Sequence, residues 1–281
     1  MRPDTLGVIG LGAIGGSVAW QASRAGVPSV VGYDRRPLEA SRAVRAGAVH
    51  RSERGAAHVA RVVDLLVLAA PPDRNLELLE SLAGEIRAGG TLVTDVTSVK
   101  RPIADLADRL GLEDLFVGSH PFAGTHTRGF EGARPDLLAG AIVYVTPRRP
   151  NCPVAAEVAD CWARVFAAHV VSVTPDEHDV WLAWSSHLPQ AVASVLAATL
   201  LRLAPGGLHF GPGACDATRL AMSAESMWVP ILLQNRDAVL DGLAGTAAGL
   251  TALADALRAG DADGLTQILR DAREFREGWE R

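Results

Sequence analysis

Cysteine is scarce in this 281-residue chain: Cys152, Cys161 and Cys215 are odd in number and form no C-x-x-C pair. That argues against a disulfide framework or a zinc ribbon and points to a reducing cytoplasm. Basic stretches are lacking as well. The net charge is −5, and the doublets Arg35-Arg36 and Arg148-Arg149 are too short to make the basic stripe of a nucleic-acid binder, so no nucleic-acid partner is expected. The most apolar run past the opening, residues 191–201, is far shorter than the roughly 20 residues a bilayer span needs. At the start, Arg2 precedes apolar residues as in a secretion signal, but Asp4 and the glycines at 7, 10, 12, 15 and 16 suit a glycine loop instead. Neither export nor membrane insertion is expected. Internal repeats, low-complexity tracts and long linkers are absent, and no compact His, Cys or acidic spacing suggests a metal site.

What remains is the composition of an ordinary globular protein, 48% hydrophobic and 21% charged, long enough for two domains. Short β-rich runs at residues 6–9, 29–33, 64–69, 91–94, 115–117, 142–145 and 170–173 alternate with helical stretches. Near-continuous apolar strands separated by helices predict an α/β fold, a Rossmann-type doubly wound, mostly parallel sheet over residues 1–173. From Thr174 the strand signals stop. Trp181, Trp184, Leu188, Val192, Val195, Leu196 and Leu203 then recur at helical intervals, and further helices are expected over 218–240, 246–259 and 265–279. An all-helical C-terminal domain is therefore expected over residues 174–281, with Pro189 kinking its first helix.

Gly10-Leu11-Gly12-Ala13-Ile14-Gly15 matches G-x-G-x-x-G, follows a strand, opens a helix, and has Asp34 at the end of the next strand. Gly10 makes the tight turn, Gly12 lets backbone approach a pyrophosphate, and Gly15 allows close helix–sheet packing. The helix N-terminus offers free N–H groups to phosphates, and Asp34 accepts from a ribose diol. A dinucleotide is expected, NAD because a carboxylate repels a 2′-phosphate. NADP stays open because Arg35 or Arg36 attracts one. The stretch "GSHPFAG" at 118–124 sets His120 before Pro121, which forces an extended conformation and pins the imidazole in a turn where a strand ends. Thr97-Ser98-Val99-Lys100 follows another strand. Both lie at carboxyl ends of parallel strands, where open α/β sheets bind ligands.

In order along residues 8–235, Gly10-x-Gly12-x-x-Gly15, Asp95-x-x-Ser98-Val99-Lys100, Gly118-Ser119-His120-Pro121-x-Ala123-Gly124, His178-Asp179, Ser186-His187-Leu188-Pro189 and Thr218-Arg219-x-Ala221-x-Ser223 together resemble prephenate dehydrogenase. The wider group includes the arogenate and cyclohexadienyl dehydrogenases of tyrosine biosynthesis. The resemblance implies a nicotinamide-binding domain, a helical domain that dimerises, and oxidative decarboxylation of a cyclohexadienol. It implies that His120 is the catalytic histidine, that Ser98 holds the substrate hydroxyl and that Arg219 binds a substrate carboxylate. His178, His187 and Gln190 are expected near the substrate, and Gly10, Leu11, Gly12, Ala13, Ile14, Gly15, Asp34, Arg35 and Thr97 around the cofactor. Neither an appended mutase domain nor feedback through a regulatory domain is expected.

Alternatives stay open at this level. Many family members have histidine at the position of Gln190, so the choice between prephenate's keto acid and arogenate's amino acid is unresolved. His126 shares the loop with His120 and is a second candidate base. A β-hydroxyacid dehydrogenase-like reductase shares the loop and a helical second domain, but resembled enzymes use a lysine there and no lysine follows Lys100. A non-catalytic NAD-binding sensor would need only the glycine loop. A homodimer is expected from the apolar helical half.

Overall fold

The computed structural model describes residues 2–124, 127–203 and 209–280, so His126 lies outside the described residues. Eight strands form one sheet in the order β3-β2-β1-β4-β5-β6-β7-β8. They are β1 Thr5–Ile9, β2 Ser29–Tyr33, β3 Arg51–Ser52, β4 Leu65–Leu68, β5 Leu92–Asp95, β6 Phe116–Pro121, β7 Ile142–Thr146 and β8 His169–Ser172. Every pairing is parallel except β6 with β7. The helices are α1 Ala13–Arg24, α2 Pro37–Arg45, α3 Ala56–Ala60, α4 Pro72–Gly89, α5 Arg101–Arg109, α6 Pro153–Val165, α7 Pro175–Leu182, α8 Leu188–Leu203, α9 Pro212–Thr218, α10 Glu225–Gln234, α11 Arg236–Ala259 and α12 Ala262–Glu277.

Alternation along the strands explains the two cores. Leu6 and Val8 of β1 and Leu65 and Val67 of β4 pack on one face with α1 and α6. Ile9, Leu66 and Leu68 pack on the other with α3, α4 and α5. A strand buried on both faces reads as a continuous apolar run, which is why these strands stand out in the sequence. The two-residue edge strand β3 is exposed and too short for any periodic signal.

β6 departs from expectation. Instead of ending at Val117 before a turn, it runs on through His120 and Pro121. Phe116 and Val117 pair with β5, and Gly118 to Pro121 pair antiparallel with β7. The proline is accommodated because N–H groups alternate along a strand. Phe122 N donates to Ile142 O at 2.8 Å, so the N–H that Pro121 lacks would point away from β7, past the end of β5. His120 thus sits on a paired strand at the carboxyl edge of the sheet.

The chain divides into two compact units, one of residues 1–182 with 223–235 and the other of residues 183–222 with 236–281. The first of these units takes in α7 together with the sheet, and also α10. The helix expected from Trp181 to Leu203 is broken by a π turn, Ala183–His187, two residues ahead of Pro189. A wide turn absorbs a residue without its i−4 bond. The stretch 218–240 is likewise segmented, into a 3-10 turn Arg219–Met222, α10 and the start of α11. Trp181 and Trp184 are exposed, outside the core of the described chain.

Candidate active site

β1 feeds directly into the glycine loop. Gly10 has φ of +96°, and a Cβ there would lie 2.6 Å from the Ala69 carbonyl oxygen. At Gly15 a Cβ would lie 1.9 Å from the Gly10 oxygen, whereas at Gly12 it would meet nothing within 4 Å. Two glycines are therefore required by the fold itself, and the third leaves an open approach above the α1 N-terminus. Asp34 closes the loop from β2. Its carboxylate accepts from Leu11 N at 2.8 Å and from Arg36 N at 2.8 Å. The Arg36 guanidinium lies 3.7 Å from Asp34 and 3.8 Å from Glu39, a pairing that draws it away from a 2′-phosphate. Arg35 is exposed. Leu11 is buried, and Ala13 and Ile14 open α1 half-buried. These residues fit a dinucleotide carrying a free ribose diol.

At the carboxyl end of β5 and in the middle of β6, a buried polar network supports the imidazole. Lys100, the only lysine in the chain, is fully buried and donates from Nζ to Asp95 Oδ2 at 2.5 Å and to Ser119 O at 2.7 Å. Burial pushes its ammonium below the usual lysine range, against the raising pull of Asp95. Asp95 also accepts from Thr97 N at 2.9 Å, from the Thr97 hydroxyl, and from Ser119 N at 3.3 Å. Thr97, expected at the cofactor, has its backbone N–H and hydroxyl engaged by Asp95. Ser98 is half-buried, and its hydroxyl has no hydrogen-bond partner among the described residues.

His120 is only 7% exposed. Its Nδ1 lies 2.9 Å from Nε2 of the buried His178, whose Nδ1 lies 2.8 Å from Asp179 Oδ1. Asp179 in turn accepts from Lys100 N at 2.7 Å and Arg101 N at 2.9 Å, at the start of α5. Expected among substrate ligands, His178 instead has protein partners on both ring nitrogens and backs His120 from behind. Burial pushes the His178 imidazole below its usual range, with Asp179 opposing that shift. Phe122 and Tyr144 flank His120 with ring centroids at 6.2 and 6.4 Å, giving the imidazole an aromatic surround. Asp179 and the lone lysine entered the sequence reading only as motif members, with no role of their own. The only signal for the former was its adjacency to a histidine.

In the second unit, His187 is buried at the π turn. Gln190 is buried too, and its Nε2 donates to Leu220 O at 2.9 Å and to Ser194 Oγ at 3.2 Å, while its Oε1 has no partner among the described residues. The Leu220 bond anchors the 3-10 turn on which Arg219 sits. Arg219 does not begin a helix, as the spacing suggested, but follows α9. Its side chain is exposed and makes no ion pair among the described residues.

The sequence and fold have well-defined relatives. Residues 19–179 match the family model for the prephenate dehydrogenase nucleotide-binding domain, and residues 174–271 match the model for the prephenate dehydrogenase dimerization domain. A prephenate dehydrogenase of Bacillus subtilis (strain 168) is 31% identical over 98% of this chain and 76% of its own length. The crystal structure of the A. aeolicus prephenate dehydrogenase with hydroxyphenyl propionate and NAD+ superposes with a TM-score of 0.87 at 28% identity, over 98% of this chain and 97% of that one. The Synechocystis arogenate dehydrogenase follows with a TM-score of 0.82 at 26% identity, over 98% and 99% of the two chains. With two domain models matched in order and a relative aligned over 98% of its residues, this chain belongs to the prephenate dehydrogenase family.

Proposed function

We propose that the protein oxidatively decarboxylates prephenate to 4-hydroxyphenylpyruvate with NAD as oxidant. The observation that supports this best is a buried imidazole, His120, backed by His178 and Asp179, on the same sheet edge as an open glycine loop closed by Asp34. When bound, NAD supplies the acceptor for the hydride that leaves the hydroxyl-bearing ring carbon. His120 takes the hydroxyl proton as general base. Ser98 orients that hydroxyl through its own unpartnered hydroxyl. The ring carboxylate departs as carbon dioxide, and its bonding pair completes the aromatic ring. Arg219 presents a planar fork to a substrate carboxylate, a geometry lysine cannot copy. His187 and Gln190 complete the substrate contacts in this reading. Acting as a homodimer through the dimerization domain, the enzyme works in the cytoplasm, where its three cysteines stay reduced.

One observation favours a second substrate. The amide nitrogen of Gln190 is committed to Leu220 O and Ser194 Oγ, so what remains is an acceptor, Oε1. An acceptor suits the ammonium of arogenate better than the keto group of prephenate. The deciding assay offers each dienol with NAD and follows reduced cofactor and aromatic product. Turnover of neither, by folded protein, sinks the proposal, and the ratio of kcat/KM values ranks the two substrates.

Two variants test the assigned roles. Arg219→Ala is expected to raise KM at least about tenfold, since a hydrogen bond to a charged group contributes roughly 1.5–3 kcal/mol, with the Kd for NAD unchanged. Gly12→Ala is expected to fold with wild-type thermal stability, because an added Cβ meets nothing within 4 Å. It should nonetheless weaken NAD binding by about tenfold or more, through obstructed backbone approach to the pyrophosphate. Calorimetric titration with NAD reads this out, and wild-type affinity would show that the dinucleotide binds elsewhere.

A further inference from the structure

We propose that Asp179 is a positioning residue: through the ring of His178 it holds His120 in the tautomer whose Nε2 carries the lone pair. The inference deepens the functional reading above and rests on it only for the role of His120 as base.

The chain of reasoning is one of donors and acceptors. The Asp179 carboxylate already accepts two backbone N–H bonds, from Lys100 at 2.7 Å and Arg101 at 2.9 Å. The 2.8 Å contact with His178 Nδ1 is therefore donated by the imidazole. A neutral imidazole has one N–H, and burial favours the neutral form of His178. Its Nε2 must then accept, and the 2.9 Å contact is donated by His120 Nδ1. One proton remains for each ring, so the lone pair of His120 is directed to Nε2. Imidazole side chains left to themselves prefer the opposite form, with the proton on Nε2.

The carboxylate is fixed from three elements. It caps the first turn of α5, where the helix dipole favours a negative charge. It belongs to α7, and the Asp179 carbonyl accepts from Asn235 Nδ2, just past α10, at 2.7 Å. The charged groups acting on the His178 imidazole are Asp179 and Asp95, which favour its protonation, and Lys100, which disfavours it. Among the described residues the rings of Phe122 and Tyr144 also adjoin the pair, and Trp181 packs edge-on against Tyr144. When His120 receives a proton, its Nδ1–H already donates toward His178, and the Asp179 charge stabilises the imidazolium without moving. The same logic orients the histidine of the Ser-His-Asp triad, there with the carboxylate one ring nearer.

The test combines tautomers and kinetics. The protein labelled with 15N-histidine is examined without ligands, and the His120 signals are assigned by their loss in His120→Asn. Wild type is expected to show a protonated Nδ1 and a bare Nε2 at His120, and Asp179→Ala a shift toward the Nε2–H form. In Asp179→Ala, kcat is expected to fall at least about 10²-fold, the low end of general-base contributions, with the Kd for NAD unchanged. The acid limb of kcat/KM should move to lower pH, because a charge that stabilises the imidazolium is gone. Asp179→Asn keeps an acceptor and should recover part of kcat. Should Asp179→Ala fail to fold, His178→Phe leaves Asp179 on its helix and must reproduce the loss of kcat. A bare Nδ1 at His120 in wild type, or unchanged kcat and acid limb in the variants, overturns the relay. Absence of any dienol turnover by wild type, with the tautomers as expected, overturns the functional reading instead.

Discussion

Replacing His120 by asparagine is expected to lower kcat by about 10²–10⁴-fold, the range that general-base catalysis contributes, while the Kd for NAD stays near wild type. Asparagine is smaller than histidine and its amide can still donate toward His178, so the β6–β7 pairing and the buried network behind it persist. What is lost is the basic nitrogen. The glycine loop and Asp34 belong to β1, α1 and β2, and none of their hydrogen bonds involves His120. A steady-state assay paired with calorimetric NAD titration separates the two effects. Loss of NAD binding in this variant would make His120 a structural residue, and retention of kcat would move the base elsewhere.

Asp95→Ala is expected to destabilise the protein by about 3–5 kcal/mol, the cost of removing one partner of a buried ion pair. Lys100 has no solvent exposure, and without Asp95 its ammonium keeps only the Ser119 carbonyl. The backbone N–H groups of Thr97 and Ser119 lose their acceptor as well. At about 2–4 °C per kcal/mol for a chain of comparable size, the Tm should fall by roughly 10 °C in scanning calorimetry. Lys100→Met should cost less. Asp95 would retain bonds from Thr97 and Ser119, and a flexible apolar side chain fills the same channel. Adding Asp95→Leu to Lys100→Met removes both charges and should recover stability relative to Asp95→Ala, because an apolar pair incurs no ionic desolvation. Equal Tm values for Asp95→Ala and wild type would show that the pair contributes nothing.

The two predictions concern residues that differ in how plainly they could be read. His120 was legible because a proline restricts its neighbour's backbone and because a short apolar run leads up to it. Even so, the expected turn is a paired strand, since antiparallel contact with β7 depends on a segment more than twenty residues away. Ser98 and the glycines were legible for similar local reasons. Lys100 was read as part of a motif, and nothing in its neighbours announced a fully buried cation. Its burial depends on Asp95 five positions back and on the Ser119 carbonyl of the next strand. His178 was expected to touch substrate, yet it stands between His120 and Asp179, with 58 positions separating the two histidines. In the second unit, Pro189 signalled an irregular helix, and the π turn ahead of it is the form that irregularity takes.

By itself the sequence determined the sheet, the glycine loop and the extended backbone at His120, because each follows from short-range constraints: alternation along strands, the steric demands at Gly10 and Gly15, and the backbone restriction before Pro121. Only the tertiary structure decided which groups stand behind His120, where α10 packs, and how Lys100 is paired. Those outcomes depend on hydrogen bonds and burial between elements distant in the chain, and a proton's place on an imidazole is set by the partner across the bond, which no local pattern records.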